Sequence, residues 1–383
     1  MEQALYEGLL KSLVDNQKPL VLGQVPAVQR DCFDRVPGHL DPRADLGCGV
    51  TREALAAEPG RFDAEYHENI NKLCGPKDPE HYDTLNMMRY CFGWRTRDHS
   101  PEVTTKMLVL SAPQGDFEVR QYEVPSGQSG RPCMVFIHGG GFVAGDVETV
   151  ENQCRLLAKL CGGVVLSVDY PLAPEHPFPW AFDACYATME WAFRNAAQLG
   201  ISPLKIGISG DSAGGNLALA CALRDRDEGK GMLHYQALIY PLLSRAQGPE
   251  NPYYYWKPEL YDNPDNDPKV TDQISLIGRM TKENNEWVVP EGTDRYHPYV
   301  SPITGKLNGL PKTLMLTAEY DFLRAECDVY AEMLQQAGVP VRAIRYGGLY
   351  HGLFDRLGLI PQVEDMLYEM AADLKALSPD SAR

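Results

Sequence analysis

Positive charge is scarce in this sequence. Its 383 residues carry 36 Lys and Arg against 52 Asp and Glu, a formal net charge of −16. A chain that acidic lacks the basic face that nucleic-acid binding requires. It is equally ill-suited to anionic membrane surfaces, while a neutral small molecule is unaffected. Long hydrophobic runs are also missing. No apolar stretch approaches the roughly 20 residues of a membrane span. The first residues, MEQALYEGLLKSLVDNQK, have an acid at position 2 and no apolar core of a secretory leader, so the expected location is cytoplasmic. The ten cysteines form no C-x-x-C pair and no His–Cys spacing of the kind that binds zinc. Cys133, Cys185 and Cys221 lie inside apolar runs and read as buried free thiols. Repeats and low-complexity tracts are absent. No metal and no cofactor is therefore expected.

What is present is an alternation of strands and helices. KMLVLSA and FEVRQYEV flank PQGD as a hairpin from about residue 104. Strand CMVFI, helix 148–160, strand GVVLSV and helix 181–199 follow. After strand YQALIYP come strand KTLMLTA, helix 324–337, strand VRAIRY and a last helix near 363–377. Strands rich in Val, Ile and Leu that alternate with helices predict an α/β fold with a mostly parallel sheet covered on both faces. Two regions break the rhythm. Residues 1–103 are helical pieces between Pro-, Gly- and Asp-rich stretches, and 245–297 interrupt two core strands. Insertions in an α/β sheet gather over the strand ends, so both are expected to form a cap over residues 104–244 and 298–383.

The stretch IGISGDSAGGNLALACAL, 206–223, places a charged and a hydroxyl residue between two apolar segments. The first reads as a buried strand and the second as a buried helix. The turn between them is so short that small residues, Gly210 and Gly214, must flank it. Ser212 is then forced into a strained conformation at the apex, the pattern of a nucleophile elbow. The following helix points its unpaired N–H groups at that serine, Ala213 first. IHGGGF, 137–142, is the second signal: glycines after a buried strand expose backbone N–H groups suited to a developing oxyanion, with Gly140 and Gly141 the natural donors. G-x-G-x-x-G is not formed, which excludes a dinucleotide loop. His138 is expected to fix this loop.

A serine nucleophile needs a base, and the base needs an orienting acid. Of nine histidines, His351 in YGGLYHGLF lies just past a late strand, while His176, His234 and His297 read as structural or surface residues. Asp321 is the first Asp beyond strand KTLMLTA. Glu319 lies too close to the strand end, and Glu326 falls inside the next helix. The chain order Ser212, Asp321, His351 is the one this kind of fold uses.

HGGGF, VDYPLAPEHPFP, GDSAGGNLA, YPLLS, PYVSPI, LTAEYDFLRAE, AGVPV and HGLF occur in one order across residues of about 130–355. Together they resemble the hormone-sensitive-lipase-like (bacterial class IV) branch of the α/β-hydrolase superfamily, in its GDSAG form. The resemblance implies an eight-stranded, mostly parallel sheet with a mainly helical cap. It also implies a carboxylic-ester hydrolase with Ser212 as nucleophile, Asp321 as acid, His351 as base and Gly140, Gly141 and Ala213 as oxyanion hole. Three positions depart from it. Pro171 stands where the family usually has Arg, so a structural salt bridge is expected to be missing. Phe322 replaces a Pro, and Leu353 replaces a Phe.

The expected substrate is a short-chain acyl ester of a small molecule, taken by a monomer or a homo-oligomer. Tyr253, Tyr254, Tyr255 and Trp256 are candidates to wall an acyl pocket, to stack on the alcohol part, or only to pack the cap. A serine amidase or peptidase on the same fold would need to protonate an amine leaving group. A non-catalytic receptor of this fold usually lacks a triad member, and here all three positions are occupied.

Overall fold

The computed structural model describes residues 49–52, 98–246, 285–358 and 360–378, with single positions between 85 and 96 and between 252 and 272. Among them one sheet dominates. Its strands are β1 (Gly49–Arg52), β2 (Thr104–Ala112), β3 (Gly115–Glu123), β4 (Arg131–Ile137), β5 (Val164–Asp169), β6 (Ile201–Asp211), β7 (Tyr235–Ile239), β8 (Lys312–Ala318) and β9 (Val341–Tyr346). They lie in the order β1-β9-β8-β7-β6-β4-β5-β3-β2. β2 and β3 form the expected hairpin, and β3 joins β5 antiparallel. Every other pairing is parallel.

The eight expected strands are β2 to β9. A ninth, β1, comes from the region expected to be cap and pairs with the outer edge of β9. Its four residues, GVTR, follow a Pro/Gly-rich stretch and are too few to show alternation. Parallel strands covered on both faces are apolar throughout. All seven residues of β4 are buried, as are all five of β7. β2 lies at the open edge and leaves Met107 and Val109 exposed.

Helices cover both faces. Helix α1 (Glu151–Cys161) packs with α5 (Pro361–Lys375) on one side. Helix α2 (Trp180–Arg194) packs with α3 (Ala213–Asp227) on the other. The helix expected over 181–199 breaks at Asn195, and a separate turn, Ala196–Leu199, follows. Gly162 ends α1 in the left-handed region, and Pro361 opens α5 at a position where its missing N–H costs nothing. Helix α3 carries no charge before Arg224 and is buried continuously from Ala213 to Leu223, as a helix apolar on nearly every side must be. Helix α4 (Arg324–Gln336) lies against β8 and β9.

The carboxyl ends of β4, β6, β8 and β9 feed the loops that carry His138–Gly141, Ser212, Asp321 and His351. Crevices outside the carboxyl ends of parallel strands are where sites form in open α/β sheets.

Candidate active site

Ser212 sits between β6 and α3 with φ 53° and ψ −113°. A non-glycine residue there is strained by about 1–3 kcal/mol and persists only where its surroundings fix it. Three backbone bonds do so: Ser212 N–H donates to the Ile239 carbonyl at 2.9 Å, and the Asn216 and Leu242 N–H groups donate to the Ser212 carbonyl, each at 3.1 Å. The close approach of α3 to β4 explains Gly214. A Cβ there would overlap the Ile137 carbonyl oxygen and lie 2.6 Å from that of His138.

His351 and Asp321 meet this serine. His351 Nδ1 is 2.9 Å from Asp321 Oδ2, and His351 Nε2 is 2.9 Å from Ser212 Oγ. A carboxylate only accepts, so Nδ1 carries the proton and Nε2 is left to accept from the hydroxyl. Asp321 is fully buried, and its Oδ1 accepts from Leu323 N–H at 2.8 Å. Its backbone carbonyl accepts the Tyr261 hydroxyl at 2.7 Å. The imidazole is flanked by Tyr240, edge-on at 4.8 Å, and by Phe322, tilted at 4.6 Å. A hydroxyl, an imidazole and a buried carboxylate in such a chain can move the serine proton onto Nε2 and stabilise the resulting imidazolium.

The two competing acids are engaged elsewhere. Glu319 Oε2 accepts from Gly348 N–H at 2.7 Å. Buried Glu326 accepts from Leu243 N–H at 2.6 Å through Oε1.

The glycine loop lies beside the serine. Gly140 has φ 118°, Gly141 φ 62° and Phe142 φ 67°. The turn closes on itself, because Val143 and Ala144 donate to the Gly140 carbonyl at 3.1 and 2.9 Å. A Cβ on Gly140 would overlap the Ala144 carbonyl oxygen. Ala213 is the first residue of α3, so its N–H has no intrahelical acceptor. Gly139 N–H is occupied by Asp211 Oδ1 at 2.7 Å.

His138 is scaffold, as expected. Its Nδ1–H donates to the Gly139 carbonyl at 2.7 Å, and its ring stacks on Tyr170 at 4.2 Å. Burial pushes its imidazole down to about 4, so it stays neutral.

Sequence reasoning missed four neighbours: Asp211, Tyr240, Tyr261 and Asp355. Burial raises the Asp211 carboxyl well above its usual range, and Asp355 adds to the effect. Asp355 itself is pushed up to about 6 by burial. Tyr240 adopts φ 33° and accepts from Phe354 N–H at 3.0 Å through its hydroxyl. The only sequence signal was that Asp211, Tyr240 and Asp355 stand within motifs quoted for other residues, or directly after one.

Pro171 carries no charge and makes no ion pair; Glu175, four residues on, pairs with Arg89 at 2.6 Å.

A small apolar pocket opens beside the loop, lined by Phe142, Phe178, Phe182, Leu217, Val289 and Tyr299 among others. Tyr253, Tyr254, Tyr255 and Trp256 lie outside the described residues. Among the described residues no cluster of His, Cys, Asp and Glu is placed to hold a metal, and no helix is long and apolar enough to cross a membrane.

Comparison with known proteins agrees with this geometry. The family described as the alpha/beta hydrolase fold matches residues 134–355. Esterase LipI of Mycobacterium tuberculosis is 34% identical over 266 residues, 68% of this chain and 78% of that protein. Carboxylesterase NlhH of the same species is 35% identical over 269 residues, again 68% and 78%. A hyperthermophilic esterase from the archaeon Pyrobaculum calidifontis has a similar structure, with a TM-score of 0.69 at 31% identity. That match covers 83% of this chain and 100% of the esterase. With its sheet order, its strand-end loops and these relatives, the chain belongs to the alpha/beta-hydrolase fold family.

Proposed function

We propose that this carboxylic-ester hydrolase cleaves short-chain acyl esters of small molecules through an acyl-enzyme on Ser212. The observation that carries the reading is the pair of 2.9 Å contacts joining Ser212 Oγ, His351 and Asp321. In the first half-reaction Ser212 Oγ attacks the ester carbonyl carbon while its proton passes to His351 Nε2. The carbonyl oxygen becomes an oxyanion facing the N–H groups of Gly140, Gly141 and Ala213. Collapse breaks the bond to the alcohol oxygen, which leaves with the proton from Nε2. Water then repeats the sequence on the acyl-serine, with Nε2 as base, and the carboxylic acid leaves. Asp321 keeps Nδ1 protonated throughout and stabilises the imidazolium.

The cavity beside the glycine turn favours an apolar substrate group. Its walls, among them Phe142, Phe178, Phe182 and Leu217, suit an apolar acyl or alcohol group. Residues 245–297 act as a cap in this reading, joined by parts of 1–103 other than β1. In support, Tyr261 bonds the Asp321 carbonyl, and Val288 and Val289 line the cavity.

An acyl series tests the proposal. Each added methylene gains about 0.8 kcal/mol only while apolar room remains, and clashes afterwards. kcat/KM for p-nitrophenyl esters from acetate to palmitate should peak at or below hexanoate and then fall. A maximum at decanoate or beyond would contradict the short-chain assignment. Turnover of a matched anilide in preference to the ester would favour an amidase.

A further inference from the structure

The N-terminal region delivers one side chain to the turn that presents Gly140 and Gly141. Leu85, Met88 and Phe92 pack against the core at helical spacing. Arg89, in the same segment, directs its guanidinium at two loops. Nε donates to the Val143 carbonyl at 2.8 Å, and Nη2 to the Ala173 carbonyl at 3.1 Å. Nη1 and Nη2 also grip both oxygens of Glu175, at 2.9 and 2.6 Å. Those loops are joined directly as well, because Ala173 N–H donates to the Phe142 carbonyl at 2.9 Å.

The turn needs outside support. Three successive residues, Gly140, Gly141 and Phe142, have positive φ, and Phe142 has no glycine's freedom to adopt it. Such a conformation persists only where the surroundings over-determine it. Within the turn the Gly140 carbonyl accepts from Val143 and Ala144, and the Phe142 carbonyl accepts from Ala173 of the second loop. Arg89 fixes the Val143 carbonyl at the end of the turn and ties it to the second loop through Ala173. The fork geometry of a guanidinium suits this task, since it orients as well as attracts. The Arg89 bond holds the Glu175 carboxyl down to about 2, so the pair stays charged over any working pH.

We propose that Arg89 is a positioning residue for the oxyanion-binding turn, holding Gly140, Gly141 and Phe142 in the conformation that aims the Gly140 and Gly141 N–H groups at the reacting carbonyl. The inference rests on the acyl-enzyme reading of Ser212, and the test separates the two.

The variants are R89A, R89K and E175Q, with S212A in parallel. The substrate is p-nitrophenyl butyrate, and the probe is an alkyl trifluoromethyl ketone, which forms an oxyanion on a serine. A turn that has lost its brace stabilises the oxyanion less and binds the ground state as before. R89A should therefore lower kcat by about 10–100-fold with KM changed by less than about threefold. The ketone Ki should weaken by the same factor as kcat/KM. R89K, with charge but no fork, should fall between the two. A role in folding alone would lower the melting temperature and leave the ketone Ki unchanged; that result, or a loss confined to KM, overturns the proposal. Should R89A not fold by circular dichroism, R89K and E175Q carry the test, with an expected fall in kcat of about 3–10-fold each. Wild-type kcat in both overturns it. An active S212A removes the acyl-enzyme reading and the proposal with it. An inactive S212A beside a wild-type-like R89A removes the Arg89 role alone.

Discussion

Replacing Asp321 by Asn changes one atom of the site and tests how the imidazole is held. The two oxygens of Asp321 have separate partners: Oδ2 faces His351 Nδ1, and Oδ1 accepts from Leu323 N–H. An amide has one acceptor and one donor end. If its oxygen stays on Leu323, its NH2 faces Nδ1, and the ring must carry its proton on Nε2. The serine proton then has nowhere to go. If the amide turns instead, the working tautomer returns, but the buried Leu323 N–H meets another donor, at a cost of about 1–3 kcal/mol. In either orientation the imidazolium loses a hydrogen bond to a charged partner, a further loss of about 1.5–3 kcal/mol. The sum of about 2.5–6 kcal/mol, at about 1.36 kcal/mol per decade, is a fall in kcat of roughly 10²–10⁴-fold. The Tyr261 bond goes to the backbone and is untouched, so the melting temperature should change little. The assay is kcat and KM on p-nitrophenyl butyrate, with Glu319→Gln as a control. If Asp321→Asn keeps kcat within about tenfold, or Glu319→Gln shows the fall instead, the acid is misassigned and the tautomer argument is wrong.

Two other changes probe the scaffold. Gly214→Ala puts a methyl carbon into the Ile137 carbonyl and 2.6 Å from that of His138, so α3 and the end of β4 must separate. That shift misaligns Ser212 with the glycine turn, and kcat should drop by at least about a hundredfold with a lower melting temperature; unchanged kinetics would mean the packing is looser than the geometry implies. Asp355→Asn tests a pH effect. Asp355, at about 6, and Asp211, well above its usual range, keep their protons in the folded protein where the unfolded chain, near 3.8, has lost them. Native protons then outnumber unfolded ones, and this contribution to stability is complete below the unfolded value and falls as pH rises through about 6. Asp355→Asn should accordingly gain melting temperature on the parent between pH 4 and pH 7, as read by scanning calorimetry at about one-unit steps. A gap that shrinks or reverses as pH rises would refute the sign.

The parts legible in the sequence were those encoded locally. The strand–turn–helix around Ser212 needs only Gly210, Gly214 and two apolar flanks, and the structure has that shape. Asp321 and His351 were found by their positions just past β8 and β9, which the topology brings to one end of the sheet. The parts that were hidden depend on contacts between distant residues. Nothing local in GVTR announces a strand, because its pairing partner is almost three hundred residues away on β9. Arg89 and Glu175 are separated by 86 residues, and their pairing follows from the fold. The break at Asn195 and the Tyr261 bond to Asp321 are likewise tertiary in origin.

The most direct measurement of the central claim is covalent labelling of the intact enzyme with a p-nitrophenyl alkylphosphonate, followed by mass analysis of the peptides. One phosphonyl group should be found, on Ser212, with loss of activity in proportion to labelling. Ser212→Ala should take no label and lose turnover by roughly 10⁴–10⁶-fold. A label on another residue, or a Ser212→Ala protein that still hydrolyses the ester at a substantial rate, would contradict the account.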